Sequence, residues 1–354
     1  MGEIHSKHVL ICSSKHSRKC SYKYKSMRLH DDNTLYKQPK HNHKCKYNFE
    51  KDFTVIKQIG AGAYANIYLA KSISTNTTYA IKCINKKQTR LTTPNSNSTS
   101  TNNEKRILKS LQHPLILKLH FAFQDDNYIY LATDYLQHKD LHYHIQRNTC
   151  FTEDQTKFYL SEVYIAIKYL HSKGIIHRDI KSENIMLTDT GHIILIDFGS
   201  AKKLLNDSHH NNNNNNNVTT SSFVGTAECM PPEVIEGKSY SFEFDWWSFG
   251  VLMYEMIYGY VPFRDVYQDG VLDLVLHSEP TYHKYVPCAD KRIKVSNEAI
   301  DLMKRLLQKN PLNRIDELEI PQHPFFKGIN FDNVENCNVE PPRLVMMGHS
   351  QQLM

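Results

Sequence analysis

The chain of 354 residues predicts an α+β fold of two lobes, a small antiparallel β-sheet lobe with one helix followed by a larger, mainly helical lobe. Short runs of β-favouring residues lie between Phe53 and Thr133, and helical periodicity dominates beyond Tyr135. At about 100 to 200 residues per domain, the length suits one large domain or two lobes that share a cleft. No run of residues approaches the roughly 20 apolar positions of a membrane span.

Composition and periodicity divide the chain into four segments. These are a basic tail, the β-rich lobe, the helical lobe and a C-terminal extension, at residues 1–48, 49–136, 137–326 and 327–354. The tail has eleven Lys or Arg and three acidic residues without sustained periodicity, which predicts a disordered segment. Besides a solvated extension, its charge leaves open a membrane contact or a nuclear-import segment; we expect no nucleic-acid partner.

The N-terminus and the cysteines suggest where the protein resides. Residues 1–6 fit the loose pattern for myristoylation, although the charge of Glu3 next to Gly2 argues against an acyl chain. The eight cysteines are scattered without a C-x-x-C pair, and no apolar secretory leader follows Met1. We therefore expect a reducing, cytoplasmic setting, with a peripheral membrane or nuclear location through the tail left open.

The first lobe is predicted from its short strands. The expected strands are residues 53–59, 67–71, 78–84 and 128–133. The segment that follows the third strand is rich in Ser, Thr and Asn, which form helices poorly, so a helix is expected only over residues 103–111.

The second lobe is predicted from helix signals. Thr152 and Gln155 form a capping-box pattern before apolar residues at helical spacing, and Gly174 marks the end of that helix. A further helix is expected over residues 245–258, ahead of Gly259. A run of seven asparagines at 211–217 is expected to loop out because it offers nothing to a core.

One short segment, residues 175–198, concentrates the polar residues of a catalytic site. Its key members are His177, Arg178, Asp179, Lys181, Asn184 and Asp197. The order and spacing match the protein kinase pattern, in which the Asp of His-Arg-Asp accepts the substrate hydroxyl proton. Asn184 and Asp197 offer hard oxygen ligands for Mg²⁺. All of these positions hold residues able to perform the chemistry, which argues against an inactive pseudokinase scaffold.

A nucleotide-binding pattern precedes that segment. Gly60 and Gly62 follow the first strand, where glycine lets the backbone approach ATP phosphates closely, although Ala65 replaces the third glycine of the pattern. Lys82 then supplies a phosphate-binding ammonium, and Glu104 is the carboxylate expected to hold it.

Together these motifs resemble the eukaryotic protein kinases over residues 53–326, and segments 103–108 and 245–250 are similar to the AGC group. The resemblance implies a Ser/Thr kinase that uses ATP and Mg²⁺, with Lys181 on the transferred phosphate. It also implies a gatekeeper at Thr133, a hinge that includes Tyr135 and a ribose contact at Asp140. The adenine ring would lie between apolar side chains, those of Ile59, Ile67, Ala80 and Met186.

Within the AGC group, segments 123–126, 222–227 and 323–326 resemble the phosphoinositide-dependent protein kinase, which activates other AGC kinases through their activation loops. By the same resemblance Ser222 is the activation-loop phosphosite, to be held by Arg178, and Glu233 pairs with Arg314. The expected partners are protein substrates, and the expected state is a monomer. Two alternatives remain: a downstream AGC effector kinase activated at Ser222, and a nucleotide-binding scaffold in which Lys82 and Glu104 stay apart.

Overall fold

The computed structural model of the protein describes residues 49–62, 65–88, 100–204, 219–288 and 291–342. The predictions for the basic tail, its acylation and the asparagine run lie outside these ranges. No helix within the ranges is both long and apolar enough to cross a membrane.

The first lobe is built on a five-stranded antiparallel sheet with the strand order β1-β2-β3-β5-β4. A one-turn helix, α1 (Phe49–Asp52), leads into it. The strands are β1 (Phe53–Ala61), β2 (Ala65–Ser72), β3 (Thr78–Asn85), β4 (Leu119–Gln124) and β5 (Tyr128–Asp134). Strands at the four predicted positions are present, and edge strand β4 is additional. One helix, α2 (Ser100–Ser110), packs beside the sheet and begins three residues earlier than predicted.

The second lobe is mainly helical. Its helices are α3 (Leu141–Asn148), α4 (Glu153–Ser172), α5 (Pro232–Ile235), α6 (Glu243–Tyr258), α7 (Gln268–His277), α8 (Asn297–Leu306) and α9 (Phe331–Glu335). Three short antiparallel pairs accompany them: β6 (Ile175–Ile176) with β9 (Lys202–Lys203), β7 (Ile185–Leu187) with β8 (Ile193–Leu195), and β10 (Tyr285–Cys288) with β11 (Lys291–Lys294). The predicted two-lobed α+β fold is therefore confirmed.

Helix α4 is the centre of the second lobe, and its ends follow from its sequence. The Thr152 hydroxyl accepts from the Gln155 amide at 3.2 Å, while the Gln155 side chain accepts from the Thr152 amide at 2.9 Å, as a capping box requires. The helix ends before Gly174, whose φ of +69° suits glycine. It delivers the chain to β6 and to the loop that follows, where the polar residues of the site lie.

Candidate active site

Asp179 lies in the loop between β6 and β7 and is held by three side chains, two from that loop and one from Thr226. The Asn184 amide donates to the carboxylate at 2.8 Å and also to the Asp179 carbonyl at 2.8 Å. The Thr226 hydroxyl donates to the other carboxylate oxygen at 2.6 Å. The Lys181 ammonium lies 3.1 Å from Asp179 Oδ2 and donates to the Thr226 hydroxyl. Asp179 is thus positioned and kept beside a cation.

A buried carboxylate of α6 fixes the backbone of the same loop. Asp245 is fully buried and accepts from the amides of His177 and Arg178 at 2.9 and 2.8 Å. It also lies 2.9 Å from His171 Nε2. Burial alone would raise the pKa of Asp245, but the hydrogen bonds and charge of His171 and the loop amides hold the pKa below its ordinary value. An ionised carboxylate therefore stabilises Arg178 at its positive φ of 67°.

Lys82 lies between two carboxylates at the mouth of the cleft. Its ammonium is 2.7 Å from Glu104 Oε1 on α2 and 3.0 Å from Asp197 Oδ1. Burial favours the neutral amine, yet the two carboxylates outweigh it and raise the pKa of Lys82. The same ammonium, with the amide of Gly199, lowers the pKa of Asp197 against the effect of its burial. The predicted Lys82–Glu104 pair is formed.

Asn184 and Asp197, the residues proposed to hold a metal ion, each keep one side-chain oxygen available for it. Both Asn184 amide hydrogens are directed at Asp179, which leaves Asn184 Oδ1 as an oxygen donor. Asp197 uses Oδ1 for Lys82 and Gly199, so Oδ2 is the oxygen it offers. Carboxylate and amide oxygens are hard ligands of the kind Mg²⁺ takes together with phosphate oxygens and water.

The residues predicted to contact the nucleotide lie on neighbouring strands. Ala80 pairs with Thr133, whose hydroxyl donates to the Ala80 carbonyl at 3.2 Å. Ile67 pairs with both Gly60 and Lys82, and an added Cβ on Gly60 would come within 3.3 Å of Ile67. These contacts put the glycine turn, Lys82 and the Thr133 position on one sheet.

The other residues predicted to contact the nucleotide lie on the first turn of the second lobe, on β7 and around the ends of β1 and β5. Met186 on β7 forms an isolated bridge with Asp140. One oxygen of Asp140 caps α3 at the Tyr143 amide, at 2.8 Å. Ile59, near the end of β1, and Gly62 are exposed, while Tyr135 directly follows β5 and is half-buried.

Ser222 lies where two basic residues meet. Arg178 Nη1 donates to the Ser222 hydroxyl at 2.7 Å, and Tyr240 donates to the Ser222 carbonyl at 2.6 Å. Thr220 links this group to Lys202, whose ammonium donates to the Thr220 hydroxyl at 2.6 Å. Burial and repulsion by the charge of Arg178 lower the pKa of Lys202. An anion at Ser222 would offset the repulsion between these two cations.

Several residues of this site were not predicted as functional. The fold alone brings Thr226 to Asp179 and brings Asp245 and Tyr240 to Arg178. It also links Lys202 to Ser222 through Thr220. Thr226 lies 47 residues from Asp179 in sequence, so local pattern could not pair them. The expected Glu233–Arg314 pair is present and buried, with two contacts of 2.9 and 3.1 Å.

Comparison with known proteins decides the family. A family profile described as "Protein kinase domain" matches residues 53–326. The chain belongs to the protein kinase family. This kinase domain is 37% identical over 82% of the chain to Serine/threonine-protein kinase Sgk1 of Xenopus tropicalis, covering 66% of that protein. It is 35% identical over 82% of the chain to a probable serine/threonine-protein kinase of Dictyostelium discoideum, covering 60% of it.

A third relative of the kinase domain is Ribosomal protein S6 kinase 2 alpha of Xenopus laevis, 34% identical over 83% of the chain. The chain spans 38% of that protein, and so it spans between about a third and two thirds of these relatives. The domain is thus of the ATP-dependent Ser/Thr type and is similar to AGC kinases, whose domains use ATP with a divalent metal ion.

Proposed function

We propose that the protein is a Ser/Thr protein kinase that transfers the γ-phosphate of ATP, as its Mg²⁺ complex, to protein hydroxyls. The observation that supports this best is the assembly of two groups across the cleft. Lys82 is closed onto Glu104 and Asp197, and Asp179 is held by Asn184, Lys181 and Thr226. An active kinase needs both groups in place at once.

The chemistry of each side chain suggests its role in phosphoryl transfer. Asp179 accepts the proton of the attacking hydroxyl, and the Lys181 ammonium beside it stabilises the charge that develops on the transferred phosphoryl group. Lys82, held cationic by Glu104, orients the phosphates of ATP. Mg²⁺ held by Asn184 and Asp197 would neutralise charge on the phosphate oxygens. Catalysis by such a site is mainly positioning and charge neutralisation.

We propose that the substrates are the activation loops of other AGC-type kinases. Segments 123–126, 222–227 and 323–326 support this proposal through their resemblance to the phosphoinositide-dependent protein kinase. A second candidate is a downstream effector kinase that another kinase phosphorylates at Ser222. The similarity to Sgk1 and S6 kinase favours this candidate, and the contact of Arg178 with Ser222 suits either role.

The scaffold alternative is disfavoured by the site. It required Lys82 to remain apart from Glu104, whereas their atoms lie 2.7 Å apart. A nucleotide-binding scaffold remains an outcome of the experiment that follows.

Radiolabelled γ-phosphate transfer tests the proposal. Wild-type protein and Asp179→Asn are compared on a peptide that contains Thr-Phe-x-Gly-Thr and on a peptide with arginines before Ser. The asparagine keeps the shape of the side chain but is a poor base, so transfer should fall about 10²- to 10⁴-fold. Preference for the first peptide supports the activating role, and preference for the second supports the effector role. No transfer by folded, Ser222-phosphorylated wild type that binds ATP would indicate a scaffold.

A further inference from the structure

Three potential metal ligands meet on the second lobe, apart from the active-site residues described above. They come from α4, from the residue just before β8 and from the segment after α9, and they are Glu162, His192 and Cys337. One carboxylate oxygen, one ring nitrogen and the sulfur all lie within 4.8 Å of one another. Glu162 is buried, and His192 and Cys337 are half-buried. Nothing in the kinase mechanism uses this cluster.

The donor set identifies the kind of ion. Thiolate, imidazole and carboxylate are the ligands of Zn²⁺, whereas Mg²⁺ prefers oxygen alone. Around tetrahedral zinc, with bonds of about 2.0 to 2.3 Å, ligand atoms lie roughly 3.3 to 3.6 Å apart. The three atoms lie at most 4.8 Å apart, so shifts of about 1 Å bring them to these distances: the Glu162–His192 contact opens and the more distant atoms approach. The fourth position would take water.

Two of the ligands are already oriented. The Ile193 amide donates to Glu162 Oε2 at 2.9 Å, which fixes the carboxylate, while Glu162 Oε1 meets His192 Nδ1. Such a partner on the second oxygen is the arrangement that orients carboxylate ligands in metal sites. Oε1 and Nδ1 are the two atoms an ion would bridge in place of their hydrogen bond.

The third ligand is presented by an unusual backbone. Cys337 has a φ of +52°, a left-handed conformation that is costly for a residue with a Cβ. Its amide donates to the Val334 carbonyl at 2.9 Å, which fastens it to the end of α9. Farther along, Pro341 packs so closely against Gly191 that a Cβ there would come within 3.1 Å. The extension is thus seated against the β7–β8 turn, beside His192.

We propose that Glu162, His192 and Cys337 bind a zinc ion that fastens the C-terminal extension to the second lobe. Binding releases the thiol proton of Cys337 to solvent. The proton on His192 Nδ1 leaves that nitrogen and the ring is protonated on Nε2 instead, so that Nδ1 offers a lone pair. The ion joins residues that are 175 positions apart in sequence, and such a link makes the seating of the extension dependent on the metal.

Alkylation of Cys337 tests the site directly. Full-length protein, freed of metal by a chelator, is treated with iodoacetamide with and without micromolar Zn²⁺, and the peptide that contains Cys337 is quantified by mass spectrometry. A zinc-bound thiolate should react at least about tenfold more slowly. His192→Asn keeps an N–H donor for Glu162 but removes the ring nitrogen ligand. Because loss of an outer partner alone typically costs about 10- to 100-fold in metal affinity, His192→Asn should raise the Zn²⁺ concentration needed for half-maximal protection by at least that factor.

The test measures alkylation of Cys337 alone, so zinc binding by the His and Cys residues of the basic tail would not be mistaken for binding at this site. His138→Asn is the matched control, because His138 also pairs with a carboxylate, at 3.1 Å from Asp189, but has no part in the cluster. Protection should survive in that variant. Equal alkylation with and without Zn²⁺ in folded wild type would overturn the proposal, and so would protection that persists in both His192→Asn and Glu162→Gln.

Discussion

Thr226 connects Asp179, the proposed base, to Lys181, which is proposed to stabilise the transferred phosphoryl group. Its hydroxyl donates to Asp179 at 2.6 Å and accepts from Lys181. A hydrogen bond to a charged group contributes about 1.5 to 3 kcal/mol. Thr226→Ala should therefore lower kcat about 10- to 100-fold while leaving the KM for ATP nearly unchanged, as steady-state kinetics would measure. Thr226→Ser, which keeps the hydroxyl, should restore kcat; an alanine variant with normal kcat would contradict the assignment.

Ser222 is the second residue whose removal has a defined consequence. A phosphate there adds about −1.5 to −2 charge beside Arg178, and Lys202 is joined to Ser222 through Thr220. Ser222→Ala cannot receive that charge, so we expect turnover to fall at least about tenfold, in line with the loss of one to three charge-assisted hydrogen bonds. Ser221→Ala is the control, because Ser221 is a neighbouring exposed serine. Unchanged turnover in Ser222→Ala would refute the role.

Helix α6 ends at Gly259, a position where the backbone geometry favours glycine. Gly259 has a φ of +80°, and an added Cβ would lie 2.0 Å from the Thr149 carbonyl. Gly237 also has a positive φ, of 71°, but its Cβ would meet nothing within 4 Å. We expect Gly237→Ala to cost about 1 to 2 kcal/mol for the left-handed conformation.

Gly259→Ala should cost about 1 to 3 kcal/mol more than Gly237→Ala, because the carbonyl must also move. Denaturant unfolding followed by tryptophan fluorescence measures both. Since Trp246 and Trp247 both lie in α6, the signal reports the affected element. Equal losses in the two variants would show that the contact relaxes freely.

The sequence predicted best those helices and strands whose ends are set by residues close together in the chain. The capping box and Gly174 placed the ends of α4 because those hydrogen bonds join near neighbours. Strand β4 was missed, since its residues are only partly buried and it is an edge strand that pairs with β5 alone. Helix α2 begins at Ser100, although Ser, Thr and Asn are weak helix formers, because buried residues such as Ile107 and Leu108 pack it into the core.

In the site too, residues close together in the chain were predicted, whereas residues brought in by packing were not. The residues between His177 and Asp197 were predicted because one short segment holds them. Asp245, which orients that segment, lies 68 residues from His177 and reads in sequence as an ordinary helix carboxylate. Only packing of α6 against α4 brings it there, so its role becomes visible in the folded structure.

At the scale of the whole molecule, one buried polar network joins the helical core to the catalytic loop. His171 on α4 lies 2.9 Å from Asp245 and 3.2 Å from Glu317, while Asp245 accepts the amides of His177 and Arg178. Burial would lower the pKa of His171, but the two carboxylates outweigh it and raise the pKa above its ordinary 6.5. Folding therefore favours the imidazolium form.

That shift predicts how stability depends on pH. A raised pKa means that the contribution of His171 is complete below pH 6.5 and is lost as pH rises through the folded-state pKa. Folding lowers the pKa of Asp245, so the contribution of Asp245 to stability is present above pH 3.8 and is lost as the pH falls through its folded-state pKa. Asp245 therefore does not change the pH dependence near neutrality. The difference in free energy of unfolding between wild type and His171→Gln should thus be largest at pH 6, at about 3 to 5 kcal/mol for a broken buried pair.

The difference should then shrink steadily toward pH 9, as the wild type loses its imidazolium and the neutral glutamine variant has no such charge to lose. Urea unfolding at pH 6, 7, 8 and 9 measures it through Trp246, whose ring centre lies 5.3 Å from that of His171. Glu317 is less buried than Asp245, so Glu317→Gln should reduce the effect without abolishing it. A difference that stays constant from pH 6 to 9 would mean that His171 is neutral in the folded protein and that Asp245 is held by the loop amides alone.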